Sequence, residues 1–160
     1  MTPTFWVPPH PGSSGAAVSQ RMSALRRRDN EAELAVRRLL HAAGYRYRVA
    51  YPVPGLPRRT IDIAFTRHKV AVFIDGCFWH GCLEHGTRPT SNAEWWSAKL
   101  AANSARDADT AAHLEALGWL VLRMWEHEPA SSVAAAIGVS LGGASVTDVS
   151  VRRTHSPADS

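Results

Sequence analysis

The run Val70-Ala71-Val72-Phe73-Ile74 constrains this chain more than any other stretch. It is apolar, mostly β-branched and short, as a buried strand is. It stops at Asp75-Gly76. Two thiols, two aromatics and two imidazoles follow at once, in Cys77-Phe78-Trp79-His80-Gly81-Cys82-Leu83-Glu84-His85. A buried strand with such a cluster at its carboxyl end reads as a scaffold that delivers chemistry there. The competing reading is an aromatic turn with incidental cysteines, because the cysteine spacing is not that of a zinc finger.

The neighbouring segments organise around this strand. Ile61 to Phe65 reads as a strand, Thr66 to Lys69 as a turn, and Val70 to Ile74 as its antiparallel return. Trp119 to Trp125 is nearly continuous in apolar residues and is therefore a buried strand. Between them, Ser91-Asn92-Ala93-Glu94 has the form of a capping box and opens a long helix, which runs to Leu117 and stops at Gly118. Strand, long helix, strand predicts a βαβ crossover beside the hairpin, hence an α/β fold with a mixed sheet. A first helix is expected from Asn30 as N-cap, with Glu33 at the capping-box position. Ala32, Ala35, Val36, Leu39, Leu40 and Ala43 lie on one face, and Gly44 ends it. Tyr45 to Tyr51 reads as an edge strand, and the prolines of 52–57 as a loop. Residues 1–20, rich in Pro, Gly and Ser, are expected to be flexible. Arg21 and Arg26-Arg27-Arg28 form either a solvated charge run or a phosphate-contacting arm. A short helix is expected over 131–137, with disorder beyond Gly142.

Composition closes some possibilities. A chain of 160 residues makes one domain with one real core. No apolar run approaches membrane-spanning length, and the start of the chain does not read as a signal peptide. In that setting two cysteines favour a reduced compartment and metal ligation over a disulfide. Cys77, Cys82 and His85 cluster locally, and His127 ends the last strand. Two sulfurs and two nitrogens would suit a closed tetrahedral Zn²⁺ site. Glu84 competes with His85 as ligand, and two free buried thiols are the alternative. Asp62 interrupts an apolar strand, where an uncompensated carboxylate is costly. It needs either a salt bridge to a nearby arginine or a cation such as Mg²⁺. A formal net charge of +4 suits a polyanionic partner without proving one.

Gly76-Cys77-Phe78-Trp79-His80 resembles the signature of the very short patch repair (Vsr) endonucleases, which nick DNA beside T:G mismatches. The resemblance runs from Met22 to Glu128. It includes Arg28-Asp29-Asn30-Glu31-Ala32-Glu33, Leu56-Pro57 ahead of Ile61-Asp62-Ile63, Glu94-Trp95-Trp96, Asn103 with Arg106-Asp107, and Gly118-Trp119 through Trp125-Glu126. It implies a restriction-endonuclease-like domain over 21–129, between the N-terminal tail and a 130–160 extension. It further implies Mg²⁺-dependent nicking of one strand 5′ of the thymine of a T:G pair in duplex DNA. His80 would be the general base. Asp62 and the carbonyl of Ile74 would bind Mg²⁺, and Asp107 and Glu33 would orient them. Asp75 falls where the best-known members carry a histidine, so a carboxylate there could itself bind metal. His80 could instead be a zinc ligand, being three residues from Cys77. Phe78, Trp79 and Trp96 resemble the aromatics inserted at the mismatch, although Trp96 also suits plain core packing. Met22 would brace the opposite groove, and Arg26, Arg27 and Arg28 would contact phosphates. The resemblance implies a monomer in the bacterial cytoplasm, associated with the nucleoid, with other mismatch-repair proteins as candidate partners. Two further functions stay open: a nuclease or nickase of the same fold without T:G specificity, and a zinc-stabilised DNA-binding module without catalysis.

Overall fold

The computed structural model describes residues 5–12, 15–80, 82–85 and 89–142; within the first helix, the side chains of residues 25, 26, 28 and 29 lie outside the described set. The elements are α1 (Ala16–Ala42), β1 (Arg48–Val53), β2 (Leu56–Phe65), β3 (Val70–Asp75), α2 (Ala93–Ala116), β4 (Leu120–Trp125) and α3 (Ala130–Leu141). The strands form one sheet in the order β1-β2-β3-β4. The first two pairings are antiparallel; β3 and β4 are parallel, with α2 as the crossover. This is the mixed α/β sheet expected from the strand, helix, strand order.

The central strand explains its own composition. Alternation sends Val70 and Val72 into a core shared with Val36 and Leu40 of α1 and Val133 and Ile137 of α3. Ala71 and Phe73 face a second core that contains Leu114 of α2 and Trp119. A strand covered on both faces has no solvent side to make polar, so its run is continuous rather than alternating. Each such buried aliphatic side chain contributes roughly 1.5–3 kcal/mol.

Four boundaries differ from expectation. Helix α1 begins at Ala16, not Asn30, and its N-cap Gly15 makes no side-chain capping bond. No Pro or Gly falls between Ala16 and Ala42, and Ala, Leu, Arg, Gln and Met there favour helix. Asn30 and Glu33 are therefore interior to the helix, and the capping-box reading of Glu33 fails. Helix α2 begins at Ala93, and its N-cap Asn92 sits in left-handed backbone at φ 57° with no side-chain cap bond. The expected box of Ser91 and Glu94 does not form. The prolines of 52–57 do not make a long loop. Pro54 and Gly55 form the hairpin turn, with Gly55 at φ 82°, and β2 starts at Leu56. The hairpin tolerates Pro52 because β1 lies at the sheet edge. Finally, α3 is longer than expected, and its buried Val133 and Ile137 join it to the domain core. The disorder expected beyond Gly142 falls outside the described residues.

Residues 5–12, expected to be flexible, lie against the rest of the chain. The indole N–H of Trp95 donates to the carbonyl of Pro8 at 2.8 Å, and the ring of His10 meets Trp95 edge-on at 4.6 Å.

Candidate active site and metal centre

The carboxyl end of β3 carries two polar clusters. In the first, Asp75 is buried, and both its oxygens are held by one guanidinium. Arg123 of β4 donates from Nε to Oδ2 at 2.8 Å and from Nη2 to Oδ1 at 2.7 Å. Parallel pairing makes this possible, since it sets Phe73 beside Arg123 and Asp75 beside Trp125. The guanidinium also lies over the Phe73 ring, 4.7 Å from its centroid. Arg123 Nη2 is 3.3 Å from Oδ2 of Asp107, which projects from α2. The same Asp107 oxygen takes a hydrogen bond from Nδ1 of His80 at 2.5 Å, and His80 Nε2 lies 3.8 Å from Asp75 Oδ1. Asp75, Arg123, Asp107 and His80 thus close a ring of alternating acidic and basic side chains.

The environment sets the protonation of these groups. Burial alone would lower the affinity of His80 for its proton. The Asp107 hydrogen bond and the charges of Asp75 and Asp107 outweigh it and raise the imidazole above its ordinary range. Burial also opposes ionisation of Asp107, yet the His80 bond and the Arg123 charge hold that carboxyl below its usual range.

Asp62 reaches the same end of the sheet from β2. The last paired residues of β2 and β3 on this side are Ile63 and Val72. Past them, Asp62 Oδ2 accepts the backbone N–H of Ile74 at 2.8 Å. Burial pushes the Asp62 carboxyl up to about 6, the charges of Glu33 and Asp75 adding to it and the Ile74 bond and Arg123 opposing it. Glu33 pairs with Arg37 one helical turn on, at 3.5 Å, and burial raises its pKa in spite of that pair.

The second cluster is local. Ligating atoms of Cys77, Cys82, His85 and His127 all lie within 4.8 Å of one another. Cys77 Sγ is 3.1 Å and Cys82 Sγ 3.8 Å from His127 Nδ1. In a tetrahedral zinc site with ordinary Zn–S and Zn–N bonds, sulfur and nitrogen would be about 3.6 Å apart. The donor set therefore fits one four-coordinate ion with small adjustments. Groups around it support the ligands. Glu84 lies 3.6 Å from the other ring nitrogen of His127, and Glu126 accepts the backbone N–H of Cys77 at 2.9 Å. Burial, with Cys82 and Glu126 close by, pushes the Cys77 thiol up to about 12. A bound cation would reverse that, since a coordinating thiol is deprotonated. His80 is not in this group; its Nδ1 is committed to Asp107.

The aromatics gather at the start of α2. Phe78 packs against Trp79 and Trp96 at 5.1 and 5.2 Å, and Trp95 adds to the stack at 4.7 Å from Trp96. Phe78 is only 5% exposed. Trp79 and Trp96 are half-buried and cover it. Asn103 donates to the carbonyl of Trp79 at 3.2 Å, so α2 also holds this turn. On α1, Met22 is half-buried and Arg27 exposed; the side chains of Arg26 and Arg28 lie outside the described residues.

Sequence reasoning missed Arg123. Its only signal was a lone cation in an apolar strand. Asp75, expected as a candidate metal ligand, lies with His80 and Asp107 in a group whose ligating atoms are all within 4.8 Å of one another, and Arg123 bonds both of its oxygens.

The family model described as DNA mismatch endonuclease Vsr matches residues 14–85. The chain is 44% identical over 131 residues to "Type II nicking enzyme V.NaeI" of Lentzea aerocolonigenes, covering 80% of this chain and 78% of that protein. It is 42% identical over 112 residues to "Type II nicking enzyme V.XorIIP" of Xanthomonas oryzae pv. oryzae, covering 67% and 77%. It is 33% identical over 114 residues to "DNA mismatch endonuclease Vsr" of Escherichia coli K12, covering 69% and 70%. Fold and relatives together define a DNA endonuclease. The chain belongs to the Vsr family. Among the described residues no helix is long and apolar enough to cross a membrane.

Proposed function

We propose that this enzyme nicks one strand of duplex DNA on the 5′ side of the thymine in a T:G mismatch, with Mg²⁺ at the reacting phosphate. The observation that carries this reading is the Asp107–His80 pair, next in the chain to the half-buried Trp79 and joined through Arg123 to Asp75, whose charge bears on Asp62. Asp107 fixes the proton on Nδ1 of His80. That leaves Nε2 to take a proton from the attacking water. Asp62 and the Ile74 carbonyl would hold Mg²⁺, with Glu33 nearby. Asp62 with its neighbours Glu33 and Asp75 makes three carboxylates against the guanidinium groups of Arg37 and Arg123, which suits a cation. Bound there, Mg²⁺ supplies charge stabilisation at the phosphate. Trp79 and Trp96 would stack at the weakly stacked wobble pair, over a buried Phe78 that stiffens them. Met22, Arg26, Arg27 and Arg28 on α1 would lie along the backbone. Cys77, Cys82, His85 and His127 would hold Zn²⁺, which ties the loop after β3 to the end of β4. Residues 21–129 would carry this activity as a monomer in the bacterial cytoplasm, with other mismatch-repair proteins as partners.

A second reading keeps the nick and drops the mismatch. Two relatives named as Type II nicking enzymes favour it. Nicking of T:G, other mismatched and fully paired duplexes, with and without Mg²⁺, separates the two. Selective nicking of T:G with Mg²⁺ supports the first. Equal nicking of paired DNA supports the second. A blank for every duplex removes both.

A further inference from the structure

The ring of charge at the end of β3 contains a cation of the chain's own. Arg123 binds both oxygens of Asp75 in a planar fork, and the same Nη2 reaches Asp107. Asp107 in turn holds His80. The guanidinium also rests on the ring of Phe73, its partner across the parallel pairing. A carboxylate doubly bonded to a guanidinium has little left to offer a divalent ion.

We propose that Arg123 is a positioning residue that stands in this chain where a second divalent cation would otherwise sit, so that the site takes one such ion, at Asp62. Arg123 does two things in this role. It neutralises Asp75, which would otherwise draw metal to the far side of the cluster. It also sets the angle of Asp107, and through it the ring of His80. In two-metal nucleases the ions lie about 3.5–4 Å apart and share carboxylates. Here the place beside Asp75 and Asp107 is filled by a side chain that never dissociates. This inference rests on the reading of Asp62 and His80 as the reacting groups.

The test is Mn²⁺ binding to the full-length zinc-loaded protein, counted by electron paramagnetic resonance, with single-turnover nicking measured in parallel. The unaltered protein is expected to bind one Mn²⁺ per chain. Arg123→Gln frees Asp75 and is expected to bind a second. Its kcat is expected to fall about 100-fold through misalignment of His80, with KM for DNA unchanged within about threefold. Arg123→Lys keeps the charge without the fork. It is expected to bind one Mn²⁺ and recover part of kcat. Two Mn²⁺ ions on the unaltered protein would overturn the proposal, and that measurement stands even if a variant fails to fold. So would a folded Arg123→Gln protein that still binds one ion or nicks like the parent. A parent that nicks nothing with either metal refutes the catalytic reading instead, while the Mn²⁺ counts still decide the role of Arg123.

Discussion

Two clusters share the end of β3, and they are built by opposite means. The thiol–imidazole cluster draws Cys77, Cys82 and His85 from one short loop and only His127 from elsewhere. The carboxylate–imidazole cluster takes Asp62 from β2, Asp75 from β3, His80 from the loop, Asp107 from α2 and Arg123 from β4. The first has no fixed charge of its own at its donor atoms except what a bound cation induces. The second carries the charges of Asp75, Asp107 and Arg123, and its hydrogen bonds form without an ion. Only Gly76 separates Asp75 from Cys77, yet one belongs to a built-in ionic ring and the other to a candidate metal knot. The lesson concerns division of labour. Cys77, Cys82 and His85 bring the loop to His127, whereas Asp107 and Arg123 hold His80 and Asp75 from neighbouring elements.

If that division holds, damage to each cluster has a different signature. The largest effect is expected from His80→Ala. Loss of a general base costs about 10²–10⁴-fold in rate. Single-turnover nicking should fall by that factor, while DNA affinity and zinc content stay at parental values. Zinc lost together with activity would break the comparison. Next comes the knot. Replacing Cys82 with Ala, or stripping the ion with a chelator, is expected to abolish stoichiometric zinc and lower unfolding stability by about 3–4 kcal/mol, the linkage expected of a ligand at several hundred to a thousand times its Kd. Calorimetry and metal analysis check this, and an unchanged melting temperature would show that no ion contributes.

Trp96→Ala probes the surface between the clusters. Loss of one stacking platform is expected to weaken binding to mismatched duplex by about 1–3 kcal/mol, with little effect on fully paired DNA. Titration of both duplexes by anisotropy measures the difference. A pH profile probes the carboxylate–imidazole cluster. The Asp62 carboxyl, pushed up to about 6, is neutral below that value and charged above it. Metal needs the charged form, and a proton-accepting His80 must be neutral. Both requirements make activity fall on acidification, by about tenfold per pH unit for each group titrating. Near pH 5.5, added Mg²⁺ should restore part of the rate by favouring the ionised Asp62. A profile that is flat from pH 5 to 8 would remove Asp62 and His80 from the rate-limiting step together.

Legibility in the sequence followed the same divide. Cys77, Cys82 and His85 could be grouped by eye because a few residues of loop keep them near one another wherever the loop goes. The strand Val70–Ile74 was legible because burial on both faces leaves a continuous apolar run. The long second helix and the crossover followed from period and order. The start of α1 did not, since Asn30 and Glu33 form a good local cap that the surrounding helix formers override. The fate of Asp75 was also hidden. Its partner lies 48 residues away, and the intervening helix, not the local sequence, brings β4 alongside in parallel register. The burial of Phe78 under Trp79 and Trp96 was hidden for a like reason, because Trp96 comes from α2 and nothing local says which aromatic it will cover.

What the amino-acid order determined alone was the inventory: a doubly covered strand, a loop stocked with thiols and imidazoles, carboxylates on neighbouring elements, and membership in a family of DNA endonucleases. These depend on composition and short-range spacing, which survive in any conformation. What only the tertiary structure decided was which charges meet. Pairing of Arg123 with Asp75 and of Asp107 with His80 depends on strand register and on the turn of α2, to within a few ångströms. Coulomb and hydrogen-bond energies change steeply over that distance, and side-chain identities alone do not encode it.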